Sequence, residues 1–359
     1  MKASSPGLRE SWSARAALGV LGTGVALPGD PISTDELLRH LVTQFGVDVR
    51  RRGAVLARLL GISTRHLSRP LLRRIEGTRS EHSNAELSAQ ALRNALTRAG
   101  ARVSDLNYLI AHTATPGQLL PPNVARVARL LNYTGPYVEI RQACTGFANA
   151  LVFANGLLTQ QQSGLVAIVG SETGSVYFDP LTVAADKGQL VNLIQMGDGA
   201  AAVVLGSAGA TDSQITEIFY GCNPEQPPPA FHLDSGGSDA PGTGLPQFEH
   251  NFQSVRRYGP GLFEQGMVAA RTVGIDVQNM DYVIPHQANG HIAAIIAQHL
   301  GLSSSRVFVN AGRVGNTGSA AIWLAFDELQ ARLHAGESVL ALGAEATAYM
   351  FGGFRYVRR

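Results

Sequence analysis

Two stretches of the chain, 172 positions apart, carry one frame, Arg-x-x-[Cys/Asn]-Thr-Gly-x-Ala: Arg141-Gln-Ala-Cys144-Thr-Gly-Phe-Ala and Arg313-Val-Gly-Asn316-Thr-Gly-Ser-Ala. Leu106 to His112 answers Met280 to His286 at an offset of 174, and Leu165 to Gly170 answers Ser338 to Gly343 at 173. Three matches in one order at nearly one spacing indicate an internal duplication, which commits the chain to two similar halves. The expected division is a lead over residues 1–16, a first half over 17–210 with Cys144, and a second half over 211–359 with His286 and Asn316. The copies differ where chemistry is expected. One offers a thiol and the other a carboxamide, so a duplicated scaffold presents an asymmetric pair.

With 45% apolar residues in 359, each half can bury a substantial core. The formal net charge of +2 gives no reason to expect a nucleic-acid partner. Two cysteines, Cys144 and Cys222, argue against a disulfide framework and for a reducing compartment. The N-terminus has no continuous apolar segment of the secretory kind, and no stretch approaches the ~18 unbroken apolar residues of a membrane span. The expectation is a soluble, cytoplasmic protein without a membrane partner.

After the polar lead, Ala17 to Val25 reads as a Gly-rich first strand. From Ser83 onward, Ala/Leu helices alternate with short apolar runs: Leu106 to His112, Tyr137 to Ile140 and Gly164 to Gly170 as strands, Pro122 to Leu131 and Cys144 to Leu158 as helices. The alternation predicts α/β layering with largely parallel strands. Gly221 to Pro260, rich in Pro, Gly and Asp, is expected to be a long irregular excursion near a site or an interface. Nine arginines and one acid, Glu76, lie between Arg50 and Arg79. Such a run is either a solvated helical face or a docking surface for phosphates or an acidic protein, because Arg pairs bidentately with both.

Cys144 follows a β-rich run and precedes an apolar helix. Unpaired N–H groups at a helix N-terminus favour thiolate, and a thiolate accepts acyl groups. The ordinary role of a lone cysteine is a small buried hydrophobe; the duplicated elbow and a histidine in the other half weigh against it here. His286, in Ile-Pro-His-Gln-Ala-Asn289, is the counterpart of His112, and equivalent positions in two halves face a common centre. His112 by itself is read as structural. Asn316 mirrors Cys144; an asparagine opening a helix is usually an N-cap, and only the symmetry argument promotes it to a donor for a developing oxyanion.

With these motifs the chain resembles the β-ketoacyl-acyl carrier protein synthase III branch of the thiolase superfamily, from about Leu18 to the C-terminus. Cys144, His286 and Asn316 look like its Cys-His-Asn triad, and Gly197-Asp-Gly-Ala and Phe351-Gly-Gly-Phe354 extend the likeness. Degradative thiolases use a second, C-terminal cysteine, and Cys222 is mid-chain. The resemblance implies an α/β thiolase-like fold of five αβαβα layers, built from two βαβαβαββ halves and paired in a homodimer. It implies that Cys144 accepts an acyl chain from acyl-CoA or an acyl carrier protein, with the N–H groups of Cys144 and Gly353 as oxyanion hole. His286 and Asn316 would hold the second thioester as it becomes an enolate, without a metal or redox cofactor.

Two departures from the family pattern stand out. Val55 replaces the tryptophan expected a few residues before Gly61-Ile62, and Gly290-His291 replaces an arginine of the carrier-docking surface. Docking is assigned to Arg50, Arg51, Arg52, Arg58 and His291. Leu120 falls where the dimer partner commonly sends an aromatic residue to close the acyl pocket, which implies room for a longer acyl group and a role in specialised polyketide or fatty-acid-derived metabolism. Two alternatives remain: acyl transfer to an alcohol or amine, disfavoured by Asn316 because a hydroxyl needs a base, and a catalytically silent partner subunit.

Overall fold

The computed structural model describes residues 11–68, 82–160, 164–209, 212–242 and 244–359. Nine strands form one sheet: β1 (Ser11–Ala26), β2 (Leu106–His112), β3 (Tyr137–Ile140), β4 (Leu165–Glu172), β5 (Gly199–Ser207), β6 (Gln214–Cys222), β7 (Tyr282–Pro285), β8 (Ser338–Glu345) and β9 (Met350–Val357). Their order is β7-β8-β9-β6-β1-β5-β4-β2-β3. From the ends inward, β2-β4-β5-β1 and β7-β8-β9-β6 are mirror sequences, so the repeats in the chain become two equivalent half-sheets. The counterpart of β3 is reduced to a single parallel bridge between Val283 and Val307.

The sheet folds around two helices, α5 (Gly146–Gln160) and α9 (Ala321–Gln330), each of which follows one copy of the repeated frame. Alternation along the strands sorts the layers. Val203, Leu205, Val339 and Ala341 face the central helices. Ala202 and Val204 face α3 (Asn84–Ala99) and α4 (Asn123–Leu131), and Leu340 and Leu342 face α7 (Phe252–Thr272), whose Phe263 packs against α8 (Ile292–Leu300). The result is the expected five-layer αβαβα body. At its centre Phe147 of α5 meets Trp323 of α9 edge-on at 6.0 Å, and Phe354 of β9 stacks on Trp323 at 5.6 Å. A fourth cluster lies outside these layers, where α1 (Thr34–Phe45), α2 (Arg50–Leu60) and α6 (Lys187–Gln195) pack with Phe178 and Phe248.

The structure departs from expectation at several points. The first strand starts at Ser11, within the expected lead, because residues 11–19 pair with β6 while residues 18–26 pair with β5. Among the described residues of this sheet, strands run parallel for β2 with β3, β2 with β4 and β7 with β8, and the middle of the sheet is antiparallel. Crossover helices produce the parallel pairs, and the tight turn between β8 and β9 produces an antiparallel one. The excursion Gly221 to Pro260 contains a hairpin, Phe231–Leu233 with Phe248–His250, and the first turns of α7, which carries Pro260 on its exposed side. The expected boundary at 210/211 lies outside the described residues.

Candidate active site

Each expected residue owes its position to a local constraint. Cys144 lies in the turn between β3 and α5, closed by Gly146 N–H to Ala143 O (3.0 Å) and Ala148 N–H to Thr145 O (3.0 Å). Gly146 is required there, since a Cβ would stand 2.6 Å from His112 Nδ1. Asn316 lies in the equivalent turn before α9. Its N–H donates to Gln195 O (2.8 Å) and its carbonyl accepts from Gly197 N–H (3.0 Å), which ties it to the Gly-Asp-Gly segment. Gly315, at φ 75°, packs backbone against Gly197. Asn316 Oδ1 accepts from Gly318 N–H (3.1 Å), the turn bond that an N-cap reading anticipates. His286 continues the β7–β8 pairing by donating its N–H to Leu342 O (2.8 Å). The following Gln287 is fully buried; its Nε2 donates to Pro285 O (2.8 Å) and its Oε1 accepts from Asn310 N–H (2.9 Å), bracing the His286 loop to the segment that leads to Asn316.

Two buried carboxyl groups bind these turns together, and each does so across the halves. Glu345, at the end of β8, accepts Thr145 N–H (2.9 Å) and Thr145 Oγ–H (2.7 Å) at Oε2. Glu172, at the end of β4, accepts from Ser319, Thr115 and Ala114 N–H, the last at 3.0 Å. Ser319 Oγ also lies 3.2 Å from Gln142 O, so the Asn316 and Cys144 turns touch directly. The sequence reading passed over this pair. The signal was present, because Glu172 and Glu345 are 173 positions apart and extend the repeat of β4 and β8 by two residues. Beneath the site, Asp198 of the Gly-Asp-Gly segment accepts from Ser68 N–H (2.7 Å) and Ser175 N–H (3.0 Å).

The electrostatics differ from the expected thiolate. Burial, reinforced by the nearby Glu345 and Glu172 carboxyl groups, pushes the Cys144 thiol well above its usual range, and the backbone N–H pulls only weakly the other way. Burial also pushes Glu172 up. It lowers His286 to about 4 and His112 to about 3, so both imidazoles are neutral near pH 7. His286 Nδ1 is buried without a hydrogen-bond partner. Cys144, His286 and Asn316 each keep part of their surface accessible. His112, by contrast, is fully buried and accepts from Trp323 Nε1–H at 3.3 Å, in keeping with a structural role.

Gly353 does not match its expected place in an oxyanion hole. It lies inside β9, in register with Leu342 on one side and Phe219 on the other, which commits its backbone to the sheet. Leu120 is 84% exposed in a loop with a cis peptide bond to Pro121. Cys222 ends β6, opposite Met350. In the arginine run, Arg50 pairs with Asp48 at 2.7 Å, Arg52 donates to Ala184 O at 3.1 Å, and Arg51 and Arg58 are exposed. His291 Nε2 lies 2.9 Å from Arg58 O and Gly290 N–H donates to Leu60 O (2.8 Å), so α2 and the loop after His286 share one rim. Arg65 is neither solvated nor available for docking: it is buried, donates to Ile194 O (2.9 Å), and burial lowers it to about 10. Arg69, Arg73, Arg74 and Arg79 lie outside the described residues. A separate groove of about 690 Å³ between β1, α3 and α9 holds none of the three expected catalytic residues.

Residues 138–224 match the family model 3-oxoacyl-[acyl-carrier-protein] synthase III, and residues 270–352 match the C-terminal model of the same synthase. The β-ketoacyl-[acyl-carrier-protein] synthase III of Sphingopyxis alaskensis is 28% identical over 322 residues, 85% of this chain and 88% of that protein. The synthase III of Neisseria gonorrhoeae is 27% identical over 320 residues, 86% of this chain and 88% of that protein. Among solved structures, the tetronic acid condensing enzyme AbyA1 superposes with a TM-score of 0.82 at 24% identity, covering 95% of this chain and 99% of that one. The priming β-ketosynthase of the R1128 polyketide pathway gives 0.78 at 23%, covering 98% and 99%. Both family models, the synthase III relatives and the thiolase-like layering support a β-ketoacyl-acyl carrier protein synthase III-like condensing enzyme, an enzyme that transfers acyl groups.

Proposed function

We propose that Cys144 takes an acyl group from a thioester and that His286 and Asn316 stabilise the second thioester as an enolate, formed as it loses CO2 or an α-proton; the carbanion then attacks the acyl carbonyl, the bond to the Cys144 sulfur breaks, and a β-keto product leaves. In the first step the sulfur–carbonyl bond forms, the donor's sulfur leaves, and the Cys144 proton departs with it as a free thiol. The observation that carries this reading is the convergence of the Cys144, His286 and Asn316 loops, tied by Ser319 to Gln142 and by Gln287 to Asn310. A neutral imidazole and a carboxamide donate hydrogen bonds without adding charge, which suits a carbonyl turning into an oxyanion. Asn316 supports this, because Gly318 occupies its Oδ1 and its Nδ2 is the donor that remains.

The acceptor in this reading is a malonyl or 3-oxoacyl thioester on CoA or a carrier protein. The carrier approaches the rim formed by α2 and His291, where Arg51 and Arg58 are exposed. The protein works as a homodimer in the cytoplasm, with the loop carrying the exposed Leu119 and Leu120 seated in the neighbouring subunit. No metal or redox cofactor takes part. Two solved relatives of the fold are named for a polyketide pathway and for tetronic acid condensation, which favours specialised metabolism here. Intact-mass spectrometry after incubation with thioesters from acetyl to dodecanoyl tests the reading: an adduct is expected on Cys144, then discharge by malonyl thioester. A protein that acquires no adduct at Cys144 from any donor would refute it.

A further inference from the structure

The nucleophile turn is fastened by an acid that the proposed chemistry leaves unused. Glu345 is 2% exposed, and both of its oxygens are occupied: Oε2 accepts the N–H and hydroxyl of Thr145, the residue after Cys144, and Oε1 accepts the hydroxyl of Thr347 in the turn between β8 and β9. Thr145 Oγ in turn accepts from Gln142 Nε2 (2.8 Å), which also reaches Tyr220 Oη (2.7 Å), and Asn149 Nδ2 donates to Gln142 Oε1 (3.2 Å). This chain of bonds enters the first turn of α5 from behind the sulfur. With three of its four lone-pair directions filled by protein donors and only 2% of its surface exposed, this carboxylate is poorly placed to take a substrate proton, so a role as general base is disfavoured.

We propose that Glu345 is a positioning residue of the condensing site, which locks the Cys144 turn to the β8–β9 turn and sets a fixed negative charge behind the sulfur. The inference rests on Cys144 being the nucleophile. Added to burial, this charge keeps the resting thiol protonated, and so unreactive toward stray electrophiles, until a bound thioester drives the exchange. The charged groups that act on Cys144 are Glu345 of β8 and Glu172 of β4; neutral His112 of β2 packs beneath Gly146, and Tyr220 of β6 is bonded to Gln142, which bonds Thr145. Glu345 acts most strongly on the thiol among these charged groups, since it bonds the adjacent residue.

The test follows alkylation of Cys144 by iodoacetamide as a function of pH, read on its own peptide by mass spectrometry in a Cys222→Ala background. Wild type should titrate above an ordinary thiol, which lies near ~8.5. Glu345→Gln, which keeps an acceptor for Thr145 but removes the charge, should lower the midpoint by at least about one pH unit. It should speed alkylation at pH 7.5 by roughly three- to tenfold, the gain in thiolate being partly offset by its weaker nucleophilicity. Thr145→Val removes the hydroxyl's bonds to Glu345 and Gln142 and leaves the charge, so the midpoint should not fall while acylation by thioesters slows. An unchanged midpoint in a folded Glu345→Gln would overturn the proposal. Should that variant not fold, a wild-type midpoint at or below the ordinary thiol value overturns it and a higher one supports it. A Cys144 that never acquires an acyl group, yet titrates lower in Glu345→Gln, would remove its role as nucleophile and leave the action of Glu345 standing.

Discussion

The Cys144 turn and the Asn316 turn are copies of one frame, and they are held differently. In the first, Thr145 Oγ–H is bonded to Glu345 of the other half. In the second, the equivalent Thr317 Oγ is buried without a partner, and Ser319, which stands where the first copy has Phe147, reaches Glu172 of the other half instead. The paired histidines diverge further. His112 is closed in by Trp323 and Gly146, while His286 keeps part of its surface open. A duplication can therefore retain its struts, here one buried acid per half acting across the pseudo-symmetry, while only the groups facing the site change. The two halves depend on each other for their geometry, since neither turn is fastened by its own strand.

The sharpest way to break the comparison is at the thiol. Cys144→Ala should abolish acyl-enzyme formation, and Cys222→Ala should leave it intact, as scored by intact mass; an adduct on Cys222 would mean that the duplicated turn is not the site of attack. The next effect separates the halves by reaction step. His286→Ala and Asn316→Ala should still acylate at Cys144 but lose roughly 10²–10³-fold in condensation rate, the usual cost of an oxyanion donor. Equal loss of both steps in Asn316→Ala would return that residue to the plain N-cap role.

A smaller effect should appear in stability against pH. His112 and His286, one from each half, are held neutral at about 3 and about 4, below the unfolded value of 6.5. The unfolded chain therefore binds protons that the folded one refuses. Their contribution is complete above about pH 6.5 and is lost as pH falls toward 4. Denaturant midpoints measured from pH 7.5 to 4.5 should decline over that window. The decline should persist in part when only one of the two is replaced by glutamine, and a flat profile in wild type would contradict the burial of both. The smallest effect concerns the acyl pocket: Leu120→Phe should move donor preference toward shorter chains along an acetyl-to-dodecanoyl ladder, and an unchanged profile would show that this loop does not close the pocket.

The duplication, the thiol-for-amide exchange and the α/β layering were all legible in the residues, because each rests on local signals: a repeated frame, short apolar runs for strands, Ala/Leu helices between them. The arginine run was legible only as charge, and the fold divided it. Arg65 went into the interior beside Ile194, whereas Arg51 and Arg58 stayed at the rim. The helix N-terminus that favours a Cys144 thiolate is a local feature, whereas the burial that pushes the thiol up, and Glu345 201 residues away in the chain, come only with the tertiary fold. Gly353, which the resemblance put in the oxyanion hole, lies in register with Leu342 on one side and Phe219 on the other. The sequence alone determined which groups are present and that they come in two copies, because repeats and periodicities are properties of neighbours along the chain. Only the tertiary structure decided which copy of each acid, histidine and turn meets which. Burial and hydrogen bonding depend on what packs across the halves, and the chain carries no local mark of that.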